Sequence, residues 1–132
     1  MSDNSNSAMR TPLARVRHLG SAHAGTRHFW QQRLTSVALV PLTIAFVVIL
    51  VSLLGRNHAA AAQIIGSPFV AIVMMLFIVT LVYHMWLGMQ VVIEDYLHEE
   101  PVKFAFLMAN TFFCAAMALT CLYAILKLSF GV

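Results

Sequence analysis

From residue 68 to residue 93 the chain reads PFVAIVMMLFIVTLVYHMWLGMQVVI, almost wholly apolar, and then turns polar at Glu94, Asp95 and Tyr96. A helix of about 20 such residues crosses the hydrocarbon core of a bilayer, so this stretch is long enough to span. One side chain that can titrate near neutral pH, His84, lies inside it. An imidazole in hydrocarbon is expensive, which makes the residue a functional candidate whose partner has to be named. Asp95 follows His84 by close to three helical turns at about 3.6 residues per turn, so the two share a face with Gly88 and Val91 between them. Gly88, one turn from the imidazole, removes a side chain where a flat ligand would approach the backbone.

The rest of the chain agrees with a membrane. Of its 132 residues 61% are hydrophobic and only 10% are charged, where a soluble domain is nearer a quarter charged. The expected fold is therefore all-α and polytopic. The formal net charge of +3 raises the question of nucleic acid. The arginines, however, gather before the first apolar segment, at Arg10, Arg15, Arg17, Arg27 and Arg33, which is the pattern of a cytoplasmic terminus under the positive-inside rule. No basic patch interleaved with aromatics accompanies them, so no nucleic acid is expected as a partner. The first 30 residues are polar and lack an apolar core, so no cleavable signal peptide is expected. Cys114 and Cys121, two turns apart on one helix, are about 10 Å distant and read as small packing residues rather than a disulfide.

Taken in order, residues 1–33 form an expected cytoplasmic N-terminal segment, rich in Ser, Asn and Arg. Its first 20 residues read as mobile or draped on a partner. HFWQQR, from His28, is a candidate interfacial element because Trp30 suits the headgroup level. Residues 34–132 form a single three-helix domain with spans at about 34–54, 68–93 and 104–130. Pro41 inside the first span is tolerable in a membrane helix when neighbours re-satisfy the freed backbone groups. AAAAQIIGS reads as a small-residue connector, Pro68 as a first helical residue, and EDYLHEEP as an acidic loop. In the third span Asn110, Thr111, Cys114, Thr120 and Cys121 are the kinds of residue that face neighbouring helices, while Lys127 snorkels to the far interface. The arginines place the N-terminus and the acidic loop in the cytoplasm and the connector on the opposite side.

His84 has three readings: a buried histidine hydrogen-bonded to a neighbouring helix, a proton relay, which lacks further ionisable groups at the same depth, or a metal ligand, since neutral imidazole is the commonest metal-binding side chain. Haem iron held by histidine inside a helix bundle is a standard arrangement. The chain offers no second histidine at membrane depth, His58 being in a loop and His98 beyond the helix end. The ligand reading thus requires a second subunit. Asp95 and Tyr96 are either a polar helix terminus or a hydrogen-bonding and proton-delivering pair for a lipophilic head group. Arg33 either snorkels or pairs with an anionic ligand group such as a haem propionate, with Arg27 the weaker candidate for that role.

HMWLGMQVVIEDY, from His84 to Tyr96, resembles the signature of the smaller hydrophobic membrane-anchor subunits of succinate dehydrogenase, respiratory complex II. The pattern is a histidine, a glycine four residues on, and Asp-Tyr eleven and twelve residues after the histidine. GTRHFWQQRLTSVAL, from Gly25, resembles the lead into that family's first helix, and the long basic N-terminus looks alphaproteobacterial. The resemblance implies that His84 is an axial ligand of a b-type haem shared with the companion cytochrome b-type anchor subunit. It implies that Tyr96 and Asp95 contribute to a ubiquinone site and that Arg33 lies near the haem propionates. It also implies a partly shared helix bundle in a bacterial inner membrane, docking an iron–sulfur subunit and a flavoprotein subunit. No activity is expected of the chain alone, because it has neither a Rossmann glycine fingerprint nor cluster-type cysteine spacing. The alternatives are the anchor of a quinol:fumarate reductase and a small non-redox helical accessory subunit.

Overall fold

The computed structural model describes residues 24–131. The expectations for the first 23 residues lie outside that range. Among the described residues four helices follow one another: α1 (Ala24–Leu53), α2 (His58–Gly66), α3 (Pro68–Tyr96) and α4 (Glu100–Phe130). Three are long and apolar enough to span a membrane, and no strand occurs among the described residues. The all-α, three-span architecture is as expected. At about 1.5 Å per residue each long helix exceeds the roughly 30 Å hydrocarbon thickness, so their ends reach the interfaces.

The bounds differ from expectation in three places, each for a local reason. The first helix starts at Ala24, so the boundary drawn between residues 33 and 34 falls inside it. HFWQQR contains no breaker, and its polar residues continue the same helix into the interface rather than forming a separate element. The small-residue connector is largely helical, because alanine is the best helix former and Asn57 caps the start by accepting from the Ala60 N–H at 2.9 Å. The acidic loop shrinks to Leu97, His98 and Glu99: Glu94, Asp95 and Tyr96 complete the last turn of α3, and Pro101 sits in the first turn of α4.

Pro68 opens α3 as expected, directly after Ser67, which ends α2 with its hydroxyl donating to the Ile64 carbonyl at 2.8 Å. Gly55, at φ +73°, makes the turn after α1, a left-handed conformation that other residues adopt at a cost. Gly131, at φ +69°, caps α4, whose last turn carries Lys127 where the helix dipole favours a cation. Pro41 is accommodated within a continuous α1.

Helix α3 is the common partner, with α1 on one side and α4 on the other, both antiparallel to it. Phe46 of α1 stacks on Phe77 of α3, centroids 4.6 Å apart. The buried apolar core is small, comprising Ala71, Phe77, Leu87, Ile93, Cys114 and Ile125. Large apolar side chains such as Val40, Ile44, Val48 and Phe112 are exposed around the bundle. That inversion is stable where lipid or another apolar surface replaces water. Helix α2 packs on the C-terminal part of α4, so closely that a Cβ on Gly66 would lie 2.6 Å from the Leu128 carbonyl oxygen. Only glycine fits there.

Candidate functional site

Three polar side chains of α1, His28, Gln32 and Thr35, recur at the four- and three-residue spacing that lines one helical face. That face meets His84, Leu87 and Gly88 of α3. The Gln32 carboxamide donates to His84 Nε2 at 3.3 Å, and His84 Nδ1 lies 2.8 Å from Thr35 Oγ1. His28 Nε2 donates to the Leu87 carbonyl at 3.3 Å. His84 is half-buried, and its imidazole is held at both nitrogens by the neighbouring helix.

The proton on His84 follows from its partners. An amide nitrogen only donates, so with the Gln32 carboxamide nitrogen turned toward the ring a neutral imidazole presents its Nε2 lone pair to Gln32 and carries its proton on Nδ1. Thr35 is compatible with that form: its hydroxyl lies 2.8 Å from the Gln31 carbonyl and 3.0 Å from the Gln32 carbonyl of α1, either of which can take its hydrogen and leave the oxygen to accept from Nδ1–H. The reversed carboxamide would place a proton on Nε2 and draw the Thr35 hydrogen away from those carbonyls. Gln32 Oε1, meanwhile, is buried with no hydrogen-bond partner among the described residues.

Gly88 leaves room, as expected, but Gln32 occupies it: a Cβ on Gly88 would sit 3.5 Å from Gln32 Nε2. Sequence reasoning does not single out His28 and Gln32, although their spacing with Thr35 is a signal that could have found them. Arg33 is not brought to His84. It lies roughly 100° around the helix from Gln32, exposed, with its guanidinium 4.5 Å from the Phe29 ring centre. Asp95 and Tyr96 end α3 beyond the reach of α1; Asp95 is exposed and Tyr96 is 79% exposed. Both are separated from His84 by about 16 to 18 Å of helical rise.

The α3–α4 seam is different in kind. Asn110, buried on α4, donates to the Trp86 carbonyl at 3.1 Å and accepts from Cys114 Sγ at 3.5 Å, while the Trp86 indole donates to Thr111 Oγ1 at 3.1 Å. Asn110, Thr111 and Cys114 thus face a neighbouring helix as expected. Thr120 does not; exposed, it donates to its own Ala116 carbonyl at 2.7 Å. Cys114 and Cys121 are both free. An apolar groove of about 320 Å³ runs along one side of this seam, lined by Met85, Met89, Ile93, Phe106, Asn110 and Phe113.

Two hydrogen-bonded histidines, His28 and His84, in the seam between long apolar helices whose exteriors are apolar define an integral membrane protein. The chain belongs to the family of succinate dehydrogenase/fumarate reductase transmembrane subunits, whose model matches residues 7–118. It is 31% identical over 121 residues to the succinate dehydrogenase hydrophobic membrane anchor subunit of Paracoccus denitrificans, covering 92% of this chain and 93% of that one. Proteins of the same name from Rickettsia bellii and Rickettsia conorii are 29% and 25% identical, over 79% and 80% of this chain and 83% and 84% of theirs. No solved structure matches. Membership in a family of transmembrane subunits makes the chain one part of an enzyme, non-catalytic alone, as expected.

Proposed function

We propose that this chain is the membrane anchor of a succinate:ubiquinone oxidoreductase in a bacterial inner membrane, N-terminus cytoplasmic, holding an iron–sulfur and a flavoprotein subunit at the membrane surface. In this reading His84 would hold the iron of a b-type haem together with a ligand from a companion anchor subunit. The observation that carries it is the pair of contacts that bracket the imidazole, Thr35 Oγ1 at Nδ1 and the Gln32 carboxamide nitrogen at Nε2, which together suit a ring with Nδ1–H tied to Thr35 and a lone pair on Nε2. Metal-ligating histidines usually donate their other ring N–H to a fixed acceptor, so this donor set fits haem iron. The orphaned Gln32 Oε1 supports the same reading, because a carboxamide with an unsatisfied buried oxygen is a weak occupant of that space.

When bound, haem would supply a one-electron store beside the path to ubiquinone. The chain's own residues act at the end of α3. The Tyr96 hydroxyl donates a hydrogen bond to a quinone carbonyl oxygen entering from the bilayer. Asp95, on the same last turn and in contact with water, passes protons to the reduced oxygens. Two electrons from the iron–sulfur subunit and two protons from the aqueous side convert quinone to quinol. Arg33, which points away from His84, is assigned to an anionic group presented from outside this chain, such as a propionate.

Two substitutions in the purified complex test this reading. His84→Leu removes the b-type absorption band while the anchor still inserts; an unchanged spectrum and midpoint potential would show that His84 is not the ligand. Tyr96→Phe lowers succinate-driven ubiquinone reduction, with haem content and turnover with an artificial acceptor preserved. The loss of one hydrogen bond corresponds to about 1 kcal/mol, or roughly fivefold in rate. Equal loss in both assays would assign Tyr96 to assembly instead.

A further inference from the structure

His84 is held unequally at its two nitrogens. On the Nδ1 side the contact to Thr35 is 2.8 Å, and Thr35 is itself anchored to the α1 backbone. On the Nε2 side the contact to Gln32 is 3.3 Å, at the long end of hydrogen-bond range, and the same carboxamide leaves its oxygen unsatisfied. Gly88 places no side chain against Gln32 that would lock the carboxamide in place. One nitrogen is fixed and the other is only covered.

We propose that Thr35 is the positioning residue that keeps His84 in its Nδ1–H form, and that the Gln32 carboxamide is a displaceable cap on Nε2 that would swing aside where haem iron is held by that lone pair. The inference rests on the reading of His84 as a haem ligand and adds to it how the ligand is prepared. The Thr35 contact does two things. It selects which nitrogen is free to coordinate, and by accepting from Nδ1–H it raises the basicity of Nε2 and so favours the oxidised iron. The Gln32 contact shields the lone pair in the haem-free subunit without competing strongly, because the donated bond is long and the oxygen of the same group gains nothing by staying.

The test uses the whole complex, purified from cells given ample or limiting haem, with transfer of haem to an excess of apomyoglobin and the haem midpoint potential as readouts. Thr35→Val is expected to lower haem affinity about 10- to 100-fold and to raise the midpoint potential. Thr35→Ser, which keeps the oxygen, restores both. Thr35→Ala is read in the same way if the Val variant does not assemble. Gln32→Leu is expected to match or exceed the wild type in haem occupancy when haem is limiting, because the cap is gone. Wild-type affinity and potential in both Thr35→Val and Thr35→Ala would overturn the positioning role. Haem loss in Gln32→Leu comparable to that in Thr35→Val would overturn the cap. If His84→Leu keeps the wild-type spectrum, the ligand reading itself fails and takes this proposal with it. If that variant loses its haem while the Thr35 variants behave as wild type, only the proposal fails.

Discussion

The central helix has two seams, and they are finished to different degrees. Against α4, Asn110 is 9% exposed and Cys114 4%, and the polar atoms between the helices pair with one another. Against α1, no described side chain of α1 is fully buried, the polar residues are half-exposed, and a buried carboxamide oxygen has no partner. A buried polar group in lipid is costly unless satisfied, so natural seams tend to be fully paired or wholly apolar. The α3–α4 seam obeys that rule within the chain. The α1–α3 seam obeys it only if something from outside completes it, and the difference separates a structural contact from a functional one.

The largest expected effect in breaking this comparison is at Asn110. Asn110→Ala removes two membrane hydrogen bonds, each worth about 0.6 to 1.7 kcal/mol, and should destabilise the subunit by about 2 kcal/mol in a detergent unfolding titration. Gln32→Leu should cost the haem-free subunit less than about 0.5 kcal/mol in the same titration, because a long bond is lost together with an unsatisfied oxygen. Equal costs at the two positions would mean that the seams are alike. The smallest effect sharpens the picture at Gly88. Gly88→Ala brings a Cβ to ordinary contact at 3.5 Å from Gln32 Nε2, so stability should stay within about 0.5 kcal/mol of wild type by thermal melting. A larger loss would show that the helices approach more closely at that level.

The fold is largely legible in the sequence because membrane spans are written as uninterrupted apolar length, which is why the three long helices and the Pro68 start can be read directly. Ends are harder. Length and apolarity carry no signal at an interface, so the ten residues of α1 before Leu34 read as preceding the span. The Asn57 cap and the alanine run do carry a helix signal, yet a four-alanine stretch between spans reads as connector when spans alone are sought. His84 stands out as an imidazole among apolar residues. Its partners do not, because Gln32 and Thr35 lie in a polar stretch where nothing in one sequence says which helix they face. The direction of Arg33 is illegible for the same reason: the phase of α1 against α3 is set by packing, not by its own residues.

The tight seat of Gly66 against Leu128 bears on how the chain is made. Leu128 lies almost at the end of α4, so the residues that receive α2 are still within the ribosome when α1, α2 and α3 have already been delivered to the membrane. Helix α2 therefore cannot take its seat before the C-terminal part of α4 has been made. It waits, on the far side of the bilayer from the loop that joins α3 to α4, until the last of the three spans crosses. Seating α2 is thus a docking event that follows α4 at the end of the bundle remote from Tyr96, and a nascent chain stopped short of Leu128 would carry α1 and α3 in place while α2 still lacked its seat.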